Sequence, residues 1–324
     1  MSASMDWDEQ RLSRRLKLRD LHVLLTVARC GSMGKAATQL ATSQPAISKM
    51  IADMEYTLGV RLLDRNPQGV EPTIYARPLL DRGIIAFDEL RQAIKHIEFL
   101  ANPTAGELRI GCSIAIGTAF ATVVVDRLSR QHPGIVFHLL AAESGMTYRA
   151  LEERQVDLVI ARIFRPLALE HMRAEVLYDE EEVVVAGAQN PCTRRRKLAL
   201  RDLMNETWTL PPPDSLTGSL IVEAFRSRGL DLPNATVFTS SVPVRSALLA
   251  TGRFLSIVPG FVVKFPMDHR ALKRLPIRLP TTRRPVGIIT LKNRTLNPLT
   301  QLFIESAREV AKTLSERGRR TSRR

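Results

Sequence analysis

The stretch from Leu18 to Gly59 constrains this chain most, because three short helical periodicities follow one another there with punctuation residues between them. In the first, Leu18, Leu21, Leu24, Leu25 and Ala28 fall on one face. Gly31 breaks the pattern, and Ser32 is placed to cap a second helix, Met33 to Leu40, with Met33, Ala36, Ala37 and Leu40 turned inward. Thr42 or Ser43 caps a third, whose first turn accepts Pro45 because an N–H there has no helical partner to lose. Ile47, Met50, Ile51, Met54 and Leu58 form its buried stripe, and Gly59 ends it. Two short helices separated by Ala41-Thr42-Ser43 have the proportions of a helix-turn-helix.

The polar face of the third helix opens with Gln44, Ser48 and Lys49. Free amides at a helix start attract phosphate, Gln can bond adenine with two contacts, and Lys can reach guanine or phosphate. After Gly59, Val60 to Arg65 reads as a strand, Asn66-Pro67-Gln68-Gly69 as a turn, and Val70 to Thr73 as the returning strand. A hairpin in this place is a wing, with Arg61 and Arg65 set to meet a nucleic-acid backbone; the other reading of Arg65 is a salt bridge inside the domain. Residues 1–100 hold about 14 Lys/Arg against about 12 Asp/Glu, so DNA binding here rests on a few placed groups.

Gly31-Ser32-Met33-x-x-Ala36-Ala37-x-x-Leu40, then Ser43-Gln44-Pro45-Ala46-Ile47-Ser48-Lys49, then Leu58-Gly59-Val60-Arg61-Leu62-Leu63-Asp64-Arg65, resembles the signature of LysR-type transcriptional regulators in order and spacing. The resemblance implies that Ser32, Ser43, Gln44, Pro45, Ser48 and Lys49 lie at the major groove and that Arg61 and Arg65 lie on the backbone. One departure is visible: Thr73-Ile74-Tyr75-Ala76-Arg77 stands where the family often has Thr-x-x-Gly-x, a mild change within a helix.

Thr73 to about Leu100 reads as one long helix, with Leu80, Gly83, Phe87, Leu90, Ile94 and Ile97 at alternating intervals of three and four. Such a seam pairs with a second copy, or its first half packs on its own winged helix; the family resemblance favours a linker-helix dimer. Residues 101–106 are a hinge by composition. Beyond it, strands and helices alternate: strands at 107–112, 135–141, 156–161, 181–187, 236–238 and 254–259, helices at 118–131, 146–154, 218–229 and 242–251. Alternation of this kind predicts parallel sheets covered on both faces, and two such blocks fit a periplasmic-binding-protein-like clamp, the fold the LysR-type effector domain is similar to. The expected organisation is therefore a winged helix-turn-helix (1–72), a linker helix (73–100), the hinge (101–106) and an α/β effector domain of two lobes (107–316), lobe I about 107–162 and 284–316, lobe II about 163–283. A basic tail, 317–324, closes the chain.

Ligands of open α/β sheets bind beyond the carboxyl ends of the strands. That rule selects Ser113 and the loop to Thr118, Ser144, Arg162, Ser215 and Thr217, and Ser241 and Val242 with Arg245 on the helix they open. Hydroxyls and helix-start amides suit a polyol or an anion, and either arginine can clamp a carboxylate, although each Ser alone also serves as a plain cap. A carboxylate or a sugar is the expected effector.

The remaining features narrow the function by exclusion. Cys30, Cys112 and Cys192 are far apart and form no Cys-x-x-Cys pair, so neither a disulfide framework nor a zinc site is indicated. The formal net charge of +14 gathers late in the chain, with about 16 Lys/Arg against about 4 Asp/Glu from Lys264 onward, and reads as a solvated tail or a secondary phosphate contact. No catalytic constellation, cofactor loop or metal cluster stands out, so neither enzymatic activity nor a cofactor is expected. No apolar run is long enough for a membrane and Met1–Arg19 lacks a leader core, so a cytoplasmic protein is expected. A transport solute-binding protein shares the second half but not the winged helix; a chromatin organiser shares the first but needs no bilobed pocket. The family resemblance further implies promoter DNA, RNA polymerase and a homodimer or homotetramer as partners.

Overall fold

The computed structural model describes residues 16–67, 69–164, 171–234, 237–264 and 272–321. They fall into two compact units that divide between Arg91 and Gln92.

In the first unit, helices α1 (Leu18–Cys30), α2 (Met33–Gln39) and α3 (Gln44–Leu58) precede an antiparallel hairpin of β1 (Leu63–Asn66) and β2 (Gly69–Pro72). The caps follow the expected residues: Gly31 and Gly59 take left-handed φ values of 59° and 71°, and the Ser32 and Ser43 hydroxyls accept from the amides of Lys35 and Ala46 at 3.4 and 3.3 Å. Val23, Leu24, Val27, Met33, Ala36, Ile47, Ile51 and Met54 make the core with Leu62, Leu63 and Ala76. Leu18, expected on the buried face, is 51% exposed in the opening turn of α1, and Leu21, one turn on, is the first buried residue of the helix. The first wing strand starts later than the Val60 expected. The amides of Leu62 and Leu63 donate instead to the Glu55 carboxylate at 2.8 and 3.1 Å, which fixes the exit from α3. Gly69 returns the hairpin with φ 142°, and a β-carbon there would stand 2.3 Å from the Gly31 carbonyl oxygen, so this position accepts only glycine.

Helix α4 (Ala76–Ala101) carries the seam, and its two halves differ. Gly83 lies beneath Leu21, and the Phe87 ring sits 5.6 Å from that of His22. Leu90, Ile94, Ile97 and Leu100, by contrast, are 47–71% exposed. At its far end, Gln92 accepts from Asn297 at 2.7 Å and Lys95 pairs with Asp157 at 2.9 Å.

The second unit holds two five-stranded sheets. In the first, β3 (Ala105–Ser113) lies between β4 (Gly134–Ala142) and β5 (Leu158–Arg162), all parallel. β12 (Arg284–Leu291) and β6 (Met172–Glu180) complete it, with β12 antiparallel to both β5 and β6. In the second, β7 (Glu182–Gly187), β10 (Phe254–Pro259) and the edge strand β11 (Leu272–Arg278) are antiparallel, while β8 (Thr207–Leu210) and β9 (Val237–Phe238) add in parallel to β10. The sheets are thus mixed where alternation predicted parallel ones, because the chain crosses between lobes twice and each crossing delivers a strand running against its neighbours. The first crossing also falls later than expected: β6 pairs in the first sheet, so the chain changes lobe at Glu180–Glu182, not after Arg162.

Helices α5 (Thr122–Gln131), α6 (Ser144–Glu152) and α9 (Pro298–Thr321) pack on the first sheet. Helices α7 (Leu216–Arg226) and α8 (Val242–Ala250) belong to the second lobe, whose core centres on Trp208 and Phe225. Helix α9 continues through residue 321, well into the segment expected as a tail, and residues 322–324 lie outside those described.

Candidate functional site

Two sets of residues carry chemistry. On the winged helix, Gln44, Pro45 and Lys49 are exposed at the start of α3. The Gln44 amide oxygen and the Ser32 hydroxyl lie 3.5 and 3.8 Å from the point where a β-carbon on Gly34 would stand, so the starts of α2 and α3 present a shared polar edge. Arg65 donates to the Ser48 hydroxyl at 3.0 Å, which binds wing to recognition helix; Arg61 is exposed and its carbonyl accepts from Thr73 at 2.7 Å. Glu55 and Thr73, which hold the wing in place, carry no sequence signal beyond their type.

Within the second unit, a cavity of about 300 Å³ opens between the carboxyl ends of the strands of both lobes. Ser113, Arg162, Ser215, Thr217, Val242 and Arg245 line it, as expected from the strand-end rule. Ser241 caps α8, accepting from the amide of Val244 at 3.4 Å, while its neighbours Ser240 and Val242 face the cavity. The side chains of Thr118 and Ser144 lie outside the described residues. The loop after Ser113, selected by the same rule, lines it with Ile114 to Ile116; sequence reasoning missed the other apolar walls, Phe164, Pro211 and Pro259, and the acids Glu143 and Asp214. Glu143 immediately follows β4 and Asp214 immediately precedes the α7 cap, so the same rule extended by one residue reaches both.

Local geometry explains the lining. Ser113 ends β3, and a π-helical turn, Gly117–Ala121, separates the cavity loop from α5; such turns often accompany functional sites. A β-carbon on Gly117 would stand 2.6 Å from the Cys112 sulfur, so the loop folds tightly over that buried thiol. Ser215 donates to the Pro212 carbonyl at 2.7 Å and accepts from the Gly218 amide at 3.0 Å, leaving the first amides of α7 at the cavity. Across the mouth, Ser240 donates to Glu143 at 2.9 Å and joins the two lobes.

The electrostatics concentrate at the floor. Arg162, 5% exposed, pairs with the fully buried Glu182 on the crossing strand. Burial opposes its charge, but Glu182 and Glu180 outweigh that and hold the guanidinium above its ordinary pKa. Arg245, also 5% exposed, donates to the Ile257 carbonyl at 3.2 Å; burial pulls its pKa down and Glu182 offsets part of that. Tyr148 donates to the Arg162 carbonyl at 2.9 Å, and burial pushes its hydroxyl up to about 12.

This assembly has close counterparts. Residues 18–77 match the bacterial regulatory helix-turn-helix proteins of the lysR family, and residues 101–312 match the LysR substrate binding domain. The chain belongs to the LysR family. It is a transcriptional regulator with an effector-binding domain, not an enzyme. Similar proteins include the HTH-type transcriptional regulator GbpR of Azospirillum brasilense, 26% identical over 94% of this chain and 90% of that one. TdcA of Escherichia coli K12 is 26% identical over 91% and 93%. Among solved structures, a full-length OxyR from Pseudomonas aeruginosa superposes with TM-score 0.65 at 21% identity, covering 90% and 95% of the two chains. CbnR bound to its target DNA gives 0.53 at 20% identity, covering 91% and 100%. Among the described residues no helix is long and apolar enough to cross a membrane.

Proposed function

We propose that this regulator recognises promoter DNA through Ser32, Ser43, Gln44, Pro45, Ser48 and Lys49, steadied on the backbone by Arg61 and Arg65, and that a small polar effector in the interlobe cavity controls the outcome. Residues 1–72 read DNA, 73–100 link and pair two copies, and 107–316 sense the effector, a carboxylate or a sugar. Two copies meet along Leu90, Ile94, Ile97 and Leu100, an apolar row left open on α4, and dimers pair into a tetramer. The assembly acts in the cytoplasm, where its promoter and RNA polymerase are. The observation that carries the reading is the cavity itself, with lining from both lobes and the Glu143–Ser240 bond across its mouth. A ligand that prefers one lobe angle shifts the population of angles and thereby the spacing of paired winged helices.

The test is a gel shift on the intergenic DNA beside the protein's own gene, at two salt concentrations and with competitor DNA. Specific retardation that weakens with salt is expected. Gln44→Ala and Lys49→Ala each weaken it by roughly 1–3 kcal/mol per lost base contact, with folding intact. Wild-type affinity in both variants refutes the recognition-helix assignment.

A further inference from the structure

A run of cations on the second lobe serves neither the cavity nor the winged helix. Arg194, Arg195, Arg196 and Lys197 follow one another in sequence, and all four are exposed. The turn that carries them is fixed in place. The Asn190 side chain accepts from the Cys192 amide at 2.9 Å, and the Thr193 hydroxyl donates to the Asn190 carbonyl at 2.8 Å. Cys192 and Leu200, on either side of the run, are buried in the same core as Leu275 and Ile277 of β11. The turn Pro191–Arg194 packs beside β11, which exposes Lys273 and Arg274.

Two plain readings account for part of this. Cations on an edge strand discourage pairing with other chains, and β11 is an edge strand. That covers Lys273 and Arg274 but not a run that lies on no strand. A solvated loop explains the exposure, yet an ordinary surface intersperses charges of both signs. Here the nearby acids are spent elsewhere: Asp202 accepts from the Ala199 amide at 2.8 Å, and Glu206 accepts from the Cys192 thiol at 3.5 Å. Among the described residues no carboxylate stands in salt-bridge contact with any of the four. Like charges gathered without counter-charge repel one another and favour an extended anion. An acidic protein and a nucleic-acid backbone both present one. Protein interfaces have an apolar centre inside a polar rim, and among the described residues 188–205 and β11 expose no large hydrophobic side chain. A phosphate backbone needs no such centre, because guanidiniums bond its oxygens in pairs and each contact releases counterions. The winged helix already brings duplex DNA to this protein, so flanking duplex is present at high effective concentration.

We propose that Arg194, Arg195, Arg196 and Lys197, with Lys273 and Arg274 beside them, form a second DNA contact, a grip on the phosphate backbone of duplex outside the stretch that the winged helices read. Contacts of this kind position DNA and carry no base information. Because the patch belongs to the second lobe, any rotation of that lobe acts on the duplex directly.

The experiment uses the full-length protein and two labelled duplexes of equal length, the intergenic DNA and a scrambled sequence, with binding read by fluorescence anisotropy over a series of salt concentrations. Arg194→Gln, Arg195→Gln, Arg196→Gln and Lys197→Gln are combined in one variant. It should bind both duplexes more weakly by a similar factor, roughly 10- to 100-fold near 0.1 M salt, with the slope of log K against log salt shallower by about 2. Its melting temperature should match the wild type, because the four side chains are exposed and make no ion pair among the described residues. Arg194→Lys, Arg195→Lys and Arg196→Lys together keep every charge and should keep the slope. A control takes four exposed cations of the first lobe, Arg130, Arg173, Lys292 and Lys312, to Gln and should bind as the wild type does. An unaltered slope in the first variant would overturn the proposal, and so would an equal loss in the control, which would reduce the effect to net charge. A loss confined to the intergenic duplex would also overturn it, since a backbone grip ignores sequence. Normal DNA binding with reduced transcription by RNA polymerase from the intergenic promoter would assign the patch to an acidic protein instead.

Discussion

Asp157 is the residue whose loss should cost the sensor unit most. Its carboxylate, 4% exposed, accepts from Lys95 at 2.9 Å, from Arg294 at 3.1 Å and from the Arg109 amide at 2.9 Å. It thus ties the last turns of α4, the start of β5 and the segment before α9 to one point. In Asp157→Ala, Arg294 keeps its bond to the Val156 carbonyl at 2.6 Å but loses this counter-charge at a site where its side chain is 2% exposed. Removing one partner of a buried ion pair costs roughly 3–5 kcal/mol. At roughly 2–4 °C per kcal/mol for a domain of this size, the sensor transition should fall by about 6–20 °C. Lys95→Met leaves Asp157 paired with Arg294 and should cost less, roughly 1.5–3 kcal/mol, the worth of one charged hydrogen bond. Differential scanning calorimetry at pH 7 separates the sensor transition from that of the winged helix and reads both variants. A drop for Asp157→Ala no larger than that for Lys95→Met would refute the reasoning, since it would mean that the buried arginine needs no counter-charge there.

Ile94→Glu combined with Ile97→Glu places charges on the open row of α4 and should convert dimers to monomers in sedimentation, lowering operator affinity while the melting of each unit stays put; an unchanged sedimentation coefficient would move the dimer contact elsewhere. Burial pushes the Cys112 thiol up to about 11 from its ordinary 9.0, so folding favours the neutral thiol. Its contribution to stability is complete below pH 9 and fades as pH climbs toward 11. Alkylation at pH 8 should modify the half-buried Cys30 first and reach Cys112 only on unfolding. Labelling of Cys112 in the native protein would show that the cavity loop opens far more than its packing suggests.

The winged helix was legible because its punctuation is chemical: Gly31 and Gly59 are needed for left-handed turns and Ser32 and Ser43 for caps, and each of these sits at its expected place. The strand-end rule located six cavity residues for a similar reason, since hydroxyls and arginines at helix starts are visible as types. The apolar walls at Phe164, Pro211 and Pro259 were not, because an apolar residue looks the same in a core as in a pocket. The pairing of Arg162 with Glu182 was hidden because it joins strands of different lobes. The lobe boundary was hidden too: β6 reads as part of the segment that follows Arg162, yet β12, over a hundred residues later, holds it in the first sheet.

That last arrangement has a consequence for how the protein is made. In the first sheet β12 lies between β5 and β6, so this sheet lacks an interior strand until residue 291 has left the ribosome. The winged helix depends on contacts within its first hundred residues and can form long before. During synthesis there is therefore an interval in which a chain can read DNA but cannot yet sense anything, with the edges of β5 and β6 unpaired and open to aggregation. A stop codon between β6 and β12 does not trim the sensor at one end; it removes the middle of a sheet and leaves the winged helix without a complete sensor.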